Sequence, residues 1–298
     1  MHVMTTAGMT VGAVPRRGVH GQTSATTTVR RKSARAGHFA GVVGYPLLSL
    51  GIALGLWSAV SYWVLPPQRR FLLPPPADVL RNSLMDWNHL RPMLAALSVT
   101  AQVTLVGFLV AVVVGVGTGV LMSQARWIER TVYPYAVVIQ VIPILAIVPL
   151  IGLWFGYGMA ARTLVCVLIA VFPIITNTHF GLRSVDRGMQ ELFTLSGASR
   201  WDRLVKLELR SALPSILTGI TTAAGLVVVG AIIGDMFFAK GQAGIGTLLD
   251  VYRGRLQSDD LIAAIVLASL FGVLVFGAMR VVTLAAVGSW HESGRRNR

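Results

Sequence analysis

The chain has 298 residues, 54% of them hydrophobic and only 13% charged, roughly half the charge of an ordinary soluble domain. A formal charge of +14 and a sequence pI near 11.3 would invite a nucleic-acid reading in a polar protein, but the distribution of the charge argues against one. Six histidines without ligand spacing exclude a recognisable metal motif, and a single cysteine, Cys166, excludes an intramolecular disulfide.

A charged side chain at the bilayer centre costs at least ~2.5 kcal/mol, so intervals free of Lys, Arg, Asp and Glu mark candidate spans. Six such intervals are long enough: 36–68, 92–125, 131–161, 163–182, 211–234 and 261–279. They predict an all-α membrane protein with six transmembrane helices over about 41–64, 94–122, 132–153, 163–178, 213–234 and 261–279. With the N-terminus placed inside, 18 of the 26 Lys and Arg fall on the inner segments and the 12 acids divide evenly. The inside then carries +12 and the outside +2, so the positive-inside rule puts both termini in the cytoplasm. The basic surplus is thus topological, and no nucleic-acid partner is expected.

Residues 1–38 contain no acid, are rich in Thr, Ser and Gly, and carry the run Arg30, Arg31, Lys32, Arg35. They read as a disordered basic cytoplasmic tail. The domain that follows, 39–288, holds the spans, and 289–298 form a basic cytoplasmic C-terminus. The first span ends at Leu65-Pro66-Pro67, and Leu73-Pro74-Pro75-Pro76-Ala77-Asp78 forbids helix until Asp78 can cap a short one. In the second span, Gly115, Gly117 and Gly119 read as a close-packing face. The third contains Pro134, Pro143 and Pro149, and the segment from Gln140 to Leu150 is expected to be a kinked helix lining a cavity. The fourth follows the turn Trp154-Phe155-Gly156-Tyr157-Gly158 and pairs with it antiparallel.

Residues 183–211 are too charged for lipid. Met189, Leu192 and Phe193 recur at helical spacing, Gly197 breaks the helix, and Ser199 with Asp202 has capping-box spacing before Trp201, Leu204 and Val205. The pattern is helix, glycine turn, helix. A membrane-surface amphipathic hairpin is the lesser alternative for that pattern. Beyond it, Asp235-Met236 ends the fifth span, where the carboxylate either meets interfacial water or pairs with a cation near an outer gate. Lys240 to Leu249 then reads as a glycine-rich loop leading into a short helix.

No phosphate-loop motif, Ser-His-Asp set, paired carboxylates or His-Glu-x-x-His motif occurs, so any energy from nucleotide must come through a partner and the chain is not expected to be an enzyme. The segment Gln190 to Trp201, continued by Leu207, Leu209, Ala212, Leu213 and Pro214, resembles the cytoplasmic loop of binding-protein-dependent ABC importer permeases. In that family the pattern is Glu-Ala-Ala, three residues, Gly, nine residues, Ile-x-Leu-Pro. Glu191, Gly197, Leu207 and Leu209 match its spacing, whereas Leu192 and Phe193 replace the alanines, Leu207 the isoleucine and Arg210 the proline. Across residues 70–285 the likeness is to the nitrate/sulfonate/taurine-type branch. It is carried by Leu73 to Leu80, Ile142-Pro143, Pro149-Leu150, Leu153 to Gly156, Phe172 to Ile174, Gly181-Leu182, Asp235-Met236 and Gly244 to Gly246.

The resemblance implies the type I importer architecture in a bacterial inner membrane, a homodimer of permeases embedded in lipid, two cytoplasmic ABC ATPases that hold ATP and Mg, and an extracytoplasmic solute-binding protein. No cofactor is implied on this chain. It further implies that Glu191, Leu192, Phe193, Gly197, Ala198, Ser199, Arg200 and Trp201 seat in the ATPase, and that Gln140, Pro143, Pro149, Asp235 and Met236 belong to the pathway or its gate. The solute expected is a small anion or a vitamin precursor. The alternative is a six-helix secondary transporter or channel working without an ATPase.

Overall fold

A computed structural model describes residues 33–238 and 240–287, all helical or in turns. Of the expected tail, residues 1–32 lie outside the described residues, and 33–38 form the first turns of α1, Ser33–Ala59. The expected C-terminal segment 289–298 also lies outside them. The chain clusters into one unit up to Ala53 and a second from Leu54 onward. The first unit is helical where described, and its part of the apolar stretch Gly44–Val64 has no Lys, Arg, Asp or Glu.

In the second unit α1 ends in a wide π-type turn, Val60–Val64, and stops at Leu65 before the prolines. A one-turn helix, α2 (Pro76–Val79), follows, with Pro75 at its N-cap. Asp78 lies inside α2 and does not cap it, contrary to expectation. The capping carboxylate belongs to Asp86, which accepts from the Asn88 amide at 2.9 Å and starts α3, Trp87–Gln124. At ~1.5 Å per residue its 38 residues reach ~57 Å, well beyond ~30 Å of hydrocarbon, so this helix tilts or projects from the bilayer.

The third predicted span is not one kinked helix. It is two, α4 (Arg126–Val141) and α5 (Ile144–Phe155), meeting at 103°. The break falls at Ile142, whose ψ of 127° is extended, as the ring of the following proline demands. Pro134 and Pro149 sit inside α4 and α5 without ending either. Five continuous helices are long and apolar enough to cross a membrane, and the bent pair brings the number to six if it counts as one span.

The core forms where α6 (Met159–Arg183) lies between α3 and α9 (Leu209–Phe237). Small residues set the approach. Ideal Cβ atoms on Gly115 and Gly119 would fall 2.7 and 2.6 Å from the Cβ atoms of Ile174 and Thr178 respectively, so α3 and α6 run parallel in near-backbone contact. On the other side Gly219 meets the Pro173 carbonyl, Gly230 the Cys166 backbone and Gly234 the Arg162 backbone, an antiparallel pairing of α6 with α9. Gly117, expected on the same face as its neighbours, has nothing within 4 Å because two residues turn the helix by about 200°, which puts it on nearly the opposite side from both.

Beyond Gly181 the chain leaves the bundle as α7 (Arg187–Leu195) and re-enters through the single turn α8 (Arg200–Arg203). A π-type turn, Leu204–Glu208, joins α8 to α9 without a break, so Arg200–Phe237 is one 38-residue helix. The expected fifth span was 213–234, with a separate helix before it; burial of Leu204, Leu207 and Ala212 carries the helix straight through instead. At the opposite end of the bundle α10 (Ile245–Gly254) packs on α9, and α11 (Ser258–Val287) completes it.

Candidate functional site

At the α7 end, Asp186 caps α7 by accepting from the Met189 amide at 3.2 Å. The helix closes in a Schellman turn: the Ala198 amide donates to the Phe193 carbonyl and the Gly197 amide to that of Thr194, both at 3.1 Å. This needs Gly197 in the left-handed region, at φ +70°, where an L side chain is strained. Ser199 then starts α8, accepting from the Asp202 amide at 3.1 Å while its hydroxyl donates to the Asp202 carboxylate at 2.6 Å. The helix, glycine turn and capped helix expected from the sequence are all present.

The segment turns apolar side chains outward. Leu192 is 58% exposed, Leu195 86% and Trp201 74%, whereas Phe193 and Ala198 are half-buried against the turn. Glu191, Ser199 and Arg200 are exposed beside them. The turn is thus an apolar, well-capped surface held away from its own core. Leu195 escaped the sequence reading because its outward direction depends on where the Schellman turn places it.

At the α10 end Asp235 is fully buried, which removes the interfacial-solvation alternative, and it pairs with a cation. Its carboxylate receives Arg162 Nη1 at 3.0 Å and the Thr100 hydroxyl at 2.6 Å. Thr100 in turn accepts from the Ile245 amide at 2.8 Å, and Thr247 Oγ1 donates to the Asp235 carbonyl at 2.7 Å. Arg162, 3% exposed, also donates from Nε to the Phe238 carbonyl at 3.0 Å and from Nη1 to the Gln242 carbonyl at 3.2 Å. This knot ties α3, α6, α9 and the loop before α10. Gly244 and Gly246 lie directly over it, where a side chain would run into the Asp235 carboxylate and the Ile232 carbonyl. In the sequence Arg162 falls between two charge-free intervals, where a loop charge would stand. Its sequence signal is faint: a lone arginine between two apolar runs, answering a lone aspartate at the end of another.

The remaining predicted pathway residues are only partly brought together. Met236 is half-buried beside the knot. Pro149 is exposed on α5, whose Val148 and Ile151 pack with Phe238 and so join that helix to the knot. Gln140 and Pro143 are exposed at the α4–α5 break, and among the described residues no polar contact links them to Asp235.

The bundle is therefore a set of apolar helices with an exposed apolar turn at one end and a buried ion pair at the other. A family described as the binding-protein-dependent transport system inner membrane component matches residues 87–286, and the chain belongs to it. It is a permease subunit of an ABC importer, a family in which a separate ATPase hydrolyses the nucleotide. The chain is 32% identical over 240 residues to the formylaminopyrimidine transport permease protein of Halalkalibacterium halodurans, covering 79% of this chain and 91% of that one. It is 32% identical to the riboflavin transport system permease protein of Chloroflexus aurantiacus, with 76% and 85% covered. To the putative aliphatic sulfonates transport permease protein of Escherichia coli it is 33% identical, with 63% and 68% covered. Among solved structures, an inward-facing methionine ABC transporter shares the fold at a TM-score of 0.57 and 19% identity, covering 67% of this chain and 99% of that one.

Proposed function

We propose that residues 191–201 are the seat of the ATPase and that Arg200–Phe237 is the rod by which its motion reaches the translocation pathway. The observation that carries this is continuity: one unbroken helix has the exposed docking turn at its foot and Asp235 near its far end. A rigid rod of ~57 Å pushed or rotated at Arg200 displaces the knot rather than bending on the way.

In this reading the α7 end is cytoplasmic, the chain crosses the membrane six times with both termini inside, and α4–α5 form the sixth, broken crossing. The permease is a homodimer in the lipid of a bacterial inner membrane, with domain limits as read from the sequence. The exposed α4–α5 surface around Gln140, Pro143 and Pro149 faces the second copy across the pathway, and the knot with Met236 holds the outer gate. Two ATPases carry ATP and Mg, and a solute-binding protein meets the α10 end. Relatives named for formylaminopyrimidine, riboflavin and aliphatic sulfonates support a small heterocycle or anion as solute.

Gly197→Asp tests the seat. The substitution forces a side chain into φ +70° at a position with nothing within 4 Å, so the bundle stays intact while the turn is strained. The expected result is normal membrane abundance, loss of ATPase copurification and loss of uptake. Normal uptake at normal abundance would refute the assignment.

A further inference from the structure

Behind the docking turn, between α7 and the bundle, lies a cleft of about 360 Å³ lined by Arg126, Arg183, Arg187, Arg203 and a single carboxylate, Glu208. Glu208 is already held by Arg203 at 2.9 Å, and Arg183 pairs with Glu129 of α4. The cleft therefore keeps two guanidinium groups without a carboxylate partner among the described residues, Arg126 from α4 and Arg187 from α7. The start of α4 adds to the field, since Ala125 offers no capping side chain and the first amides of that helix are left as donors.

We propose that this cleft binds a phosphate group, bridging Arg126 of α4 and Arg187 of α7. Paired guanidinium forks match phosphate oxygens better than any monovalent halide. Two sources present the same chemistry: the headgroup of an anionic phospholipid, and free phosphate from the cytoplasm. The lipid is favoured by what surrounds the cleft. Trp127 beside Arg126 is 70% exposed, and Tyr133, 45% exposed, shares an adjoining cavity with Arg126 and Arg130, the aromatic and basic pattern of a membrane interface. Its consequence rests on the reading of α7 as the docking segment: a bridging phosphate would stiffen α7 against α4 and so tune how ATPase motion is passed on. The binding itself does not depend on that reading.

The test uses the full chain purified in detergent, native mass spectrometry, and phosphatidylglycerol or phosphatidylcholine as probes, with inorganic phosphate as competitor. The wild type is compared with the Arg126→Gln/Arg187→Gln double variant and with Arg69→Gln, a control at the other end of the bundle. Preferential retention of phosphatidylglycerol, reduced about 25-fold in the double variant at roughly five-fold per arginine and unchanged in the control, establishes the lipid source. Retention of inorganic phosphate with the same arginine dependence and no lipid preference establishes the free-anion source. Binding of neither probe by the wild type, or unchanged binding in a folded double variant, overturns the proposal. If the double variant does not fold, Arg187→Gln alone, at the exposed start of α7, carries the same test at about five-fold. Because binding is read without turnover, loss of ATPase coupling leaves this result standing, and the two readings fail separately.

Discussion

Replacing Asp235 by alanine leaves the Arg162 guanidinium, 3% exposed, inside the bundle without its counter-charge. The carbonyls of Phe238 and Gln242 still accept from it, but they are neutral, and the Thr100 hydroxyl loses its 2.6 Å acceptor. Removing one partner of a buried ion pair costs about 3–5 kcal/mol, since a desolvated charge is left uncompensated. At ~2–4 °C per kcal/mol for a domain of this size, the melting temperature should fall by roughly 6–20 °C. Removing the charge as well, in Asp235→Ala with Arg162→Met, takes away the desolvated cation and should restore about half of that loss, with the remainder due to carbonyls left without donors. The assay is the thermal melt of the purified chain, followed by uptake at a temperature where both variants remain folded. A single variant melting within about 2 °C of wild type, or a double variant less stable than the single, would refute the view that charge compensation holds this end together. Folded single variant with normal uptake would leave the lock without a part in gating.

The α3–α6 contact predicts opposite signs for two glycines two residues apart. Gly115→Ala puts a methyl against Ile174 and should cost about 1–3 kcal/mol, whereas Gly117→Ala meets nothing within 4 Å and should gain about 0.5–1 kcal/mol from helix propensity; melting curves separate them. Leu195→Ser and Trp201→Ala alter side chains that touch little of their own chain, so the melt should not move while ATPase recovered by copurification falls about ten-fold or more. Equal recovery would place the docking surface elsewhere. Ser199→Ala removes the cap of α8 and should cost about 1 kcal/mol locally, seen as faster amide exchange at Asp202 with the core unchanged.

Much of this molecule was legible before its structure. The charge-free intervals located the long apolar helices because desolvating a charge is costly wherever such a helix packs. The turn at Gly197 was legible because its signals are local: an amphipathic run, a residue free to take positive φ, and a capping pair three residues apart. The three prolines of the third span were equally suspect, yet only Ile142-Pro143 became a 103° corner: Ile142 takes the extended backbone that a following proline favours, whereas the residues before Pro134 and Pro149 stay helical. The glycines of α3 were likewise read as one face, although only Gly115 and Gly119 meet α6.

What the sequence by itself determined is the solvent the protein lives in, the number of candidate crossings and the short segment that stands outside them. These follow from hydropathy and local backbone preference, which belong to single residues and their near neighbours. Only the tertiary structure decided that Arg162 meets Asp235 across 73 residues, and that the exposed turn at Gly197 leads into the same continuous helix that carries Asp235. A buried ion pair takes its meaning from which helices approach and at what height, and that is set by the small-residue contacts of α3, α6 and α9 acting together.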